Sequence, residues 1–352
     1  MKIELLARLQ PLQAGVRARL RVNRSLGEVC VKHTILAPEE KGEMPPVLLD
    51  PADRARVIKA QAETTLEHEW RRIKGGVSLH QATHRYVFKN VLATPFGFFA
   101  GGNSFSRFGP LRLGKLFTTE VRRVPRGFYA SSPICLKYFG HWLTDGLPLT
   151  LLAQEDEALY LPFDPRWHHA ASYLDLLGIT RIRNEYVLFD EMSFCVDIGQ
   201  NENRRSRLRQ VRDRLHRVVK GHGNKLVYLQ RGQTGVSRHI VNEGELIVAL
   251  EANGYTTIPS EAPLPDLLAA CRGVETLISI EGSHMTHALL AANEGALHVT
   301  LNPADRFNNI FADYMPSLRS RLGAIVMERC DAGYNIDIPH TLEFLHRHSA
   351  IS

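Results

Sequence analysis

His141 and Asp145 stand four residues apart in the segment KYFGHWLTDGLPLTLLAQ, residues 137–154. On a helix that spacing puts an imidazole and a carboxylate on one face, where they can share a hydrogen bond and move a proton near neutral pH. Read alone, the pair is first of all a helix-cap hydrogen bond of no catalytic use. Gly140 leaves room beside the histidine and Trp142 offers an aromatic face, although Trp142 also falls in register with Leu143, Leu147 and Leu151 as a core residue.

A second chemistry-bearing group lies further along. In LVYLQRGQTGVSRHIVNEGEL, Arg231 directly follows an apolar strand pattern and Arg238 precedes a helix opening at Asn242–Glu243. Two forked guanidinium groups on one loop suit a pyrophosphate; the alternative is a surface pair between Arg238 and Glu243. In VETLISIEGSHMTHALL a strand ends at Ile280, Glu281 and Gly282 turn the chain, and Ser283 is placed to cap the next helix, ahead of His284 and His287. Gly282 allows close backbone approach to a ligand, the helix start offers N–H donors to a phosphate, and Glu281 could accept from a ribose or sugar hydroxyl. By itself this is also an ordinary strand–turn–helix, and no dinucleotide fingerprint or P-loop accompanies it.

The elements that must position these groups follow from periodicity. Repeated strand–helix alternation from residue 225 onward (NKLVYLQR, VNEGELIVALEANG, YTTIPSE, PLPDLLAACRG, VETLISI, SHMTHALLAANEG, ALHVTLNP) predicts a parallel, Rossmann-like α/β sheet. Ligands of such sheets bind beyond the carboxyl ends of the strands, where Arg231 and Glu281 fall. The first ~125 residues read as β-rich, with strands at RARLRV, EVCVKH, HRYVFKNVLATPFGFFAG and KLFTTEVRRV, and one helix across DPADRARVIKAQAETTLEHEWRRIKGG. Between the halves, NRRSRLRQVRDRLHRVVKG is an amphipathic basic helix. It is either a solvated helix packed by its apolar stripe or a contact for anionic lipid or glycan.

At 352 residues the chain exceeds one ordinary core. Its 44% hydrophobic and 23% charged content is that of a globular protein, and the net charge of +6 is too modest to argue for nucleic acid, for which no reader motif is present. Five scattered cysteines argue against a disulfide framework and a structural zinc site. The opening residues lack the apolar run of a signal peptide, so a cytoplasmic protein is expected, with peripheral contact at the inner face of a membrane through residues 203–220.

Taken in order, FGHWLTDGLP (139–148), YLQR (228–231), RHIVNEGEL (238–246) and ISIEGSHMTHAL (278–289) resemble the motifs of glycosyltransferase family 61. Two positions depart from the family pattern: Glu281 stands where a histidine is usual, and His287 where an asparagine is. The resemblance implies a GT-B-like α/β fold, two Rossmann-like domains facing across a cleft. With the basic helix as the boundary, the domains expected are an acceptor-side domain over 1–200, a basic helical linker over 201–224, a nucleotide-sugar-binding domain over 225–335 and a C-terminal helix or tail over 336–352. The implied activity is inverting, metal-independent transfer of a hexosyl or pentosyl group to a glycan or glycolipid in surface polysaccharide or capsule biosynthesis. No cofactor is implied beyond the donor substrate, expected to be UDP-linked. Asp145 or His141 would be the base, Gly140 and Trp142 would meet the acceptor, and Arg231, Arg238, Glu281, Gly282, Ser283, His284 and His287 would hold the donor. The alternative is a catalytically inactive nucleotide- or glycan-binding component of an assembly complex; an epimerase is disfavoured by the two separate half-sites.

Overall fold

The computed structural model describes residues 2–349 apart from 110–113, 115–117, 119, 184, 222 and 233–237, so part of the strand expected at KLFTTEVRRV lies outside the described residues. The strands in chain order begin with β1 (Lys32–Ala37), β2 (Glu40–Met44), β3 (Gly76–His80), β4 (Thr83–Thr94), β5 (Gly97–Ala100), β6 (Asn103–Phe105), β7 (Val121–Tyr129) and β8 (Ala158–Tyr160). They continue with β9 (Tyr186–Val196), β10 (Leu226–Gln230), β11 (Thr256–Pro259), β12 (Thr276–Ile280), β13 (Leu297–Pro303), β14 (Arg321–Cys330) and β15 (Gly333–Asn335). Two compact units result, one of Met1–Glu40 with His80–Arg207, the other of Lys41–Leu79 with Leu208–Ser352.

The first unit is built on a mixed sheet ordered β6-β5-β4-β9-β7-β8, with β1 added along β4. β4 runs antiparallel to β9, β5 and β1, whereas β7 is parallel to both β8 and β9. The Rossmann-like expectation for this half therefore extends only to the β8-β7-β9 part. The core on one face of this sheet is largely aromatic: Phe88, Phe98, Tyr129, Tyr160, Phe189 and Phe194 pack together. RARLRV is not a strand. A helix over Lys2–Arg19 carries its first half, and the chain leaves through Arg21 at positive φ. In EVCVKH only the last residues join β1, after a short helical turn at Leu26–Val29.

The second unit follows the expected alternation. Its sheet is ordered β11-β10-β12-β13-β14-β15 and is parallel except for the β14–β15 pair. The strand order reverses direction between β10 and β12, which opens a crevice at their carboxyl ends. The helix expected near the C-terminus runs over Ile338–His348. β14 and β15 carry no counterpart in the sequence reading.

Lys41–Leu79 groups with this unit, whereas the sequence reading assigned it to the first domain. Backbone pairing is the cause: Leu48 bonds to Leu322 and Ala324 beside β14, and Asp53 accepts from the Val326 N–H at 2.8 Å. The single helix expected over residues 50–76 is broken into Pro51–Arg56 and Leu66–Lys74. Between them, Ile58, Lys59 and Gln61 turn their backbone groups to the segment after β13 instead of to one another.

Along β13, Leu297, Val299 and Leu301 join the main apolar core, while His298, Thr300 and Asn302 take the opposite face and are just as buried. Burial pushes the His298 imidazole down to about 3. The unfolded chain, with a histidine near 6.5, therefore binds a proton that the folded state refuses. Stability from His298 is complete above pH 6.5 and is lost on acidification, at about 1.4 kcal/mol per pH unit. Urea titrations between pH 7 and pH 5 are expected to show that slope, and His298→Leu to flatten it; equal slopes in the two proteins would refute the assignment.

Candidate functional site

The first cluster forms in the first unit where a helical segment changes pitch. Ser132 accepts from the Cys135 N–H and starts a helix over Pro133–Lys137, and a single turn at Phe139–His141 follows. The chain then widens to a π turn over Trp142–Gly146, in which the Leu147 N–H reaches back five residues to the Trp142 carbonyl. The residue types explain the widening. Pro148 has no N–H to donate and its ring crowds the carbonyl four residues earlier, while Gly146 tolerates the altered backbone. Such π turns concentrate at functional sites.

This segment aims two side chains at each other. His141 Nδ1 meets Asp145 Oδ2 at 2.7 Å. The other carboxylate oxygen, Oδ1, accepts from Arg204 Nη2 at 2.5 Å. Arg204 is itself fixed: its Nη1 donates to the carbonyls of Asp197 and Ile198 just past β9, and its backbone N–H is capped by Asn201 Oδ1 at 3.1 Å. The side chains of Arg204, Asp145 and His141 are 6%, 11% and 21% exposed, so accessibility increases along the chain of contacts toward the imidazole. With a guanidinium on one oxygen, Asp145 is held as the anion and fixes the His141 ring, directing its Nδ1 inward. Cys135, close by, is no nucleophile, because burial and then the Asp145 charge push its thiol up to about 12.

The sequence reading missed Arg204. It lies on the helix Glu202–Val218, where Arg204, Leu208, Val211 and Leu215 share one buried stripe. An arginine in register with an apolar stripe was the available signal. Arg207 is buried on Asp197 at 2.8 Å, and Arg212 on Glu294 at 2.8 Å, so much of the helix's charge is internal; Arg214, Arg217 and Lys220 face outward.

Gly140 and Trp142 do not serve an acceptor as expected. Trp142 is 0% exposed and packed among Phe139 and Phe163, and Gly140 is buried with its carbonyl taken by Thr144 Oγ1 at 3.0 Å.

The second cluster forms in the second unit at the carboxyl ends of β10, β12 and β13. Arg231 follows β10, and Glu281–Gly282 follow β12. A Cβ added at Gly282 would lie 2.2 Å from Arg231 Nη1 and 2.7 Å from Arg238 Nη1, so only a bare backbone lets both guanidiniums converge there. Arg238 pairs not with Glu243 but with Glu281, at 3.1 Å side chain to side chain and through the Glu281 carbonyl. Glu243 accepts from the Tyr228 hydroxyl at 2.6 Å instead.

Glu281 is buried and held on several sides. Asn308 Nδ2 donates to its Oε1 at 3.0 Å, and Arg306 Nε stands 3.9 Å from its Oε2. It therefore acts as a clamp on the arginines rather than the exposed acceptor for a sugar hydroxyl that the sequence suggested. Arg306 and Asn308 were also missed, although they follow the third strand end of a sheet whose first two ends had been singled out.

Burial, then repulsion from Arg238 and Arg306, lowers the Arg231 guanidinium to about 10, against the pull of Glu281. Three guanidiniums, of Arg231, Arg238 and Arg306, gather about Glu281, and such a concentration of positive charge is a place into which an anion fits. His284 adds a neutral acceptor: burial and the charges of Arg231 and Arg238 hold it well below its usual range. Its Nδ1 faces Arg231 Nη1 at 3.4 Å, which leaves the ring proton on Nε2 toward Ser279 Oγ at 2.8 Å, and Ser279 donates on to the Leu229 carbonyl. Ser283 is not a helix cap: the helix is Met285–Ala291, preceded by His284, with no side-chain cap. His287 is buried on that helix, and its charge is a lesser contributor to the lowering of His284.

One group of metal-ligand residue types occurs among the described residues, Asp50, Asp53 and His340. Arg347 holds Asp50 through two contacts of 3.0 Å, while Arg56 and the Val326 N–H hold Asp53, so the carboxylates are already neutralised. No helix among the described residues is long and apolar enough to cross a membrane.

Residues 139–297 match the model of the family described as Glycosyltransferase 61. The matched span contains both clusters except Arg306 and Asn308. Comparison with curated proteins gives no significant match.

Proposed function

Because this chain belongs to glycosyltransferase family 61, we propose that it moves a sugar, with inversion, from a nucleoside diphosphate sugar to a hydroxyl of a glycan acceptor. The observation that carries the reading is the convergence of Arg231 and Arg238 over the backbone of Gly282, beside Arg306. Inversion is one in-line displacement: the acceptor oxygen attacks the anomeric carbon, the bond to the phosphate oxygen breaks, and the acceptor proton must leave. His141 takes that proton on Nε2, since Nδ1 is engaged by Asp145; Asp145 orients and stabilises the imidazolium, and Arg204 keeps Asp145 anionic. The departing diphosphate gains charge in the transition state, and the guanidiniums stabilise it there. They supply the positive charge that a metal ion supplies elsewhere, so the reading gives no metal a role.

A GT-B-like arrangement, in which the two clusters act on one pair of substrates, is part of the proposal. So are a UDP-linked donor, a surface polysaccharide as the glycan, a cytoplasmic setting, and a peripheral contact with anionic lipid through Arg214, Arg217 and Lys220. A thermal-shift panel of UDP, GDP and CMP is expected to single out one nucleotide, and the matching sugar nucleotide to be hydrolysed slowly in the absence of acceptor. Nucleotide binding with neither hydrolysis nor transfer would favour an inactive binding component instead. No shift with any nucleotide would remove the donor-site reading.

A further inference from the structure

We infer that Lys41–Leu79 is a positioning element for the phosphate site, acting through Glu69 on the segment Ala304–Asn309; the inference rests on the donor-site reading above. That segment alternates in what it faces. Arg306 and Asn308 reach Glu281, the clamp on Arg238. Ala304, Phe307 and Asn309 turn the other way, into Lys41–Leu79. The Ala304 carbonyl accepts from the N–H groups of Ile58 and Lys59 at 2.8 and 3.1 Å. Phe307 exchanges backbone hydrogen bonds with Lys59 and Gln61, and its ring sits 5.3 Å from that of Trp70.

Glu69 closes the brace. It is 0% exposed on the helix Leu66–Lys74, where an unpaired carboxylate could not persist. Its Oε2 accepts from the Asn309 N–H at 2.6 Å, and its Oε1 from Arg72 Nη1 at 2.6 Å and Thr64 Oγ1 at 2.7 Å. Arg72 extends the grip by a two-pronged contact with Asp313, at 3.1 and 2.6 Å. Every neighbour of the carboxylate is a donor, so an amide of the same shape would turn its own N–H group against one of them. The family match covers residues 139–297, so Lys41–Leu79 lies before it and the braced segment after it.

The test is titration of the full-length protein with inorganic pyrophosphate, followed by donor kinetics. Glu69→Gln is expected to weaken pyrophosphate binding about tenfold, the loss of one charge-assisted contact's worth of order in Arg306 and Asn308. The defect should fall on KM for the sugar nucleotide and not on kcat, a split that general destabilisation would not produce. Trp70→Leu, at a partly exposed position, should shift the same way more weakly and guards against a misfolded Glu69 variant. Pyrophosphate binding that depends on Arg231 but is unmoved by both substitutions would overturn this inference alone. Binding unmoved by Arg231→Met would overturn the donor-site reading and this inference with it.

Discussion

Asp145→Ala is expected to lower sugar transfer by about 10³-fold, within the range by which positioned acid–base groups accelerate reactions, while the nucleotide still shifts the melting temperature as in the native protein. The reason is that Asp145 is the middle of a three-part relay. One oxygen meets Arg204 at 2.5 Å and the other meets His141 at 2.7 Å. Without the carboxylate, the imidazole loses the acceptor that holds its Nδ1 proton, and an imidazolium formed in the reaction loses that counter-charge. Asp145→Asn should be nearly as damaging, because an amide offers Arg204 or His141 the wrong hydrogen-bonding partner on one side. Removing the carboxylate also strands a buried guanidinium, at a cost of about 3–5 kcal/mol in stability. Circular dichroism at the assay temperature must therefore show a folded variant. Transfer at the native rate by a folded Asp145→Ala protein would exclude Asp145 from the reaction.

How much of this was legible in the sequence depended on where each contact originates. In the second unit β10 to β13 were legible strand by strand, because a buried parallel sheet leaves continuous apolar runs separated by short turns, whereas β14 and β15 were not. The first unit was harder. Its β4 pairs antiparallel with β1 about fifty residues earlier and with β9 about a hundred residues later, and no local pattern reports pairing over such distances. The break in the Pro51–Lys74 region had the same origin: Ile58, Lys59 and Gln61 leave helical geometry to bond a segment more than two hundred residues away.

The sites divide in the same way. His141 with Asp145 and Arg231 with Arg238 were visible because each pair is local, four to seven residues apart, and lies at an element boundary. Arg204, Arg306 and Glu69 were not, since each acts on a residue tens to hundreds of positions distant. Arg204 was nonetheless detectable in principle. A charged residue in register with Leu208, Val211 and Leu215 must be buried with the stripe, and a buried guanidinium requires a carboxylate partner. Trp142 illustrates the converse, a motif residue whose register with the leucines correctly marked it as core.

Arg231→Met should separate binding from folding more cleanly than any other change at the phosphate site. Arg238 cannot serve, because its loss would take from the buried Glu281 carboxylate the guanidinium at 3.1 Å. For Arg231, burial and then repulsion from Arg238, with Arg306 behind it, drive the guanidinium down to about 10 against the pull of Glu281. Replacing it with an apolar chain of similar reach relieves that repulsion, so the ligand-free protein is expected to melt at the same temperature or higher. A phosphate oxygen would lose a charge-assisted contact, and affinity for the cognate nucleoside diphosphate should fall roughly 10- to 100-fold. Protonation gives the same assignment a second signature. A bound anion favours the charged guanidinium, so native affinity should decline as pH rises through about 10, and Arg231→Met should remove that decline. Calorimetric titration of both proteins at pH 8 and pH 10.5 measures each effect. An Arg231→Met protein that bound the nucleotide as tightly as the native one would place the diphosphate elsewhere.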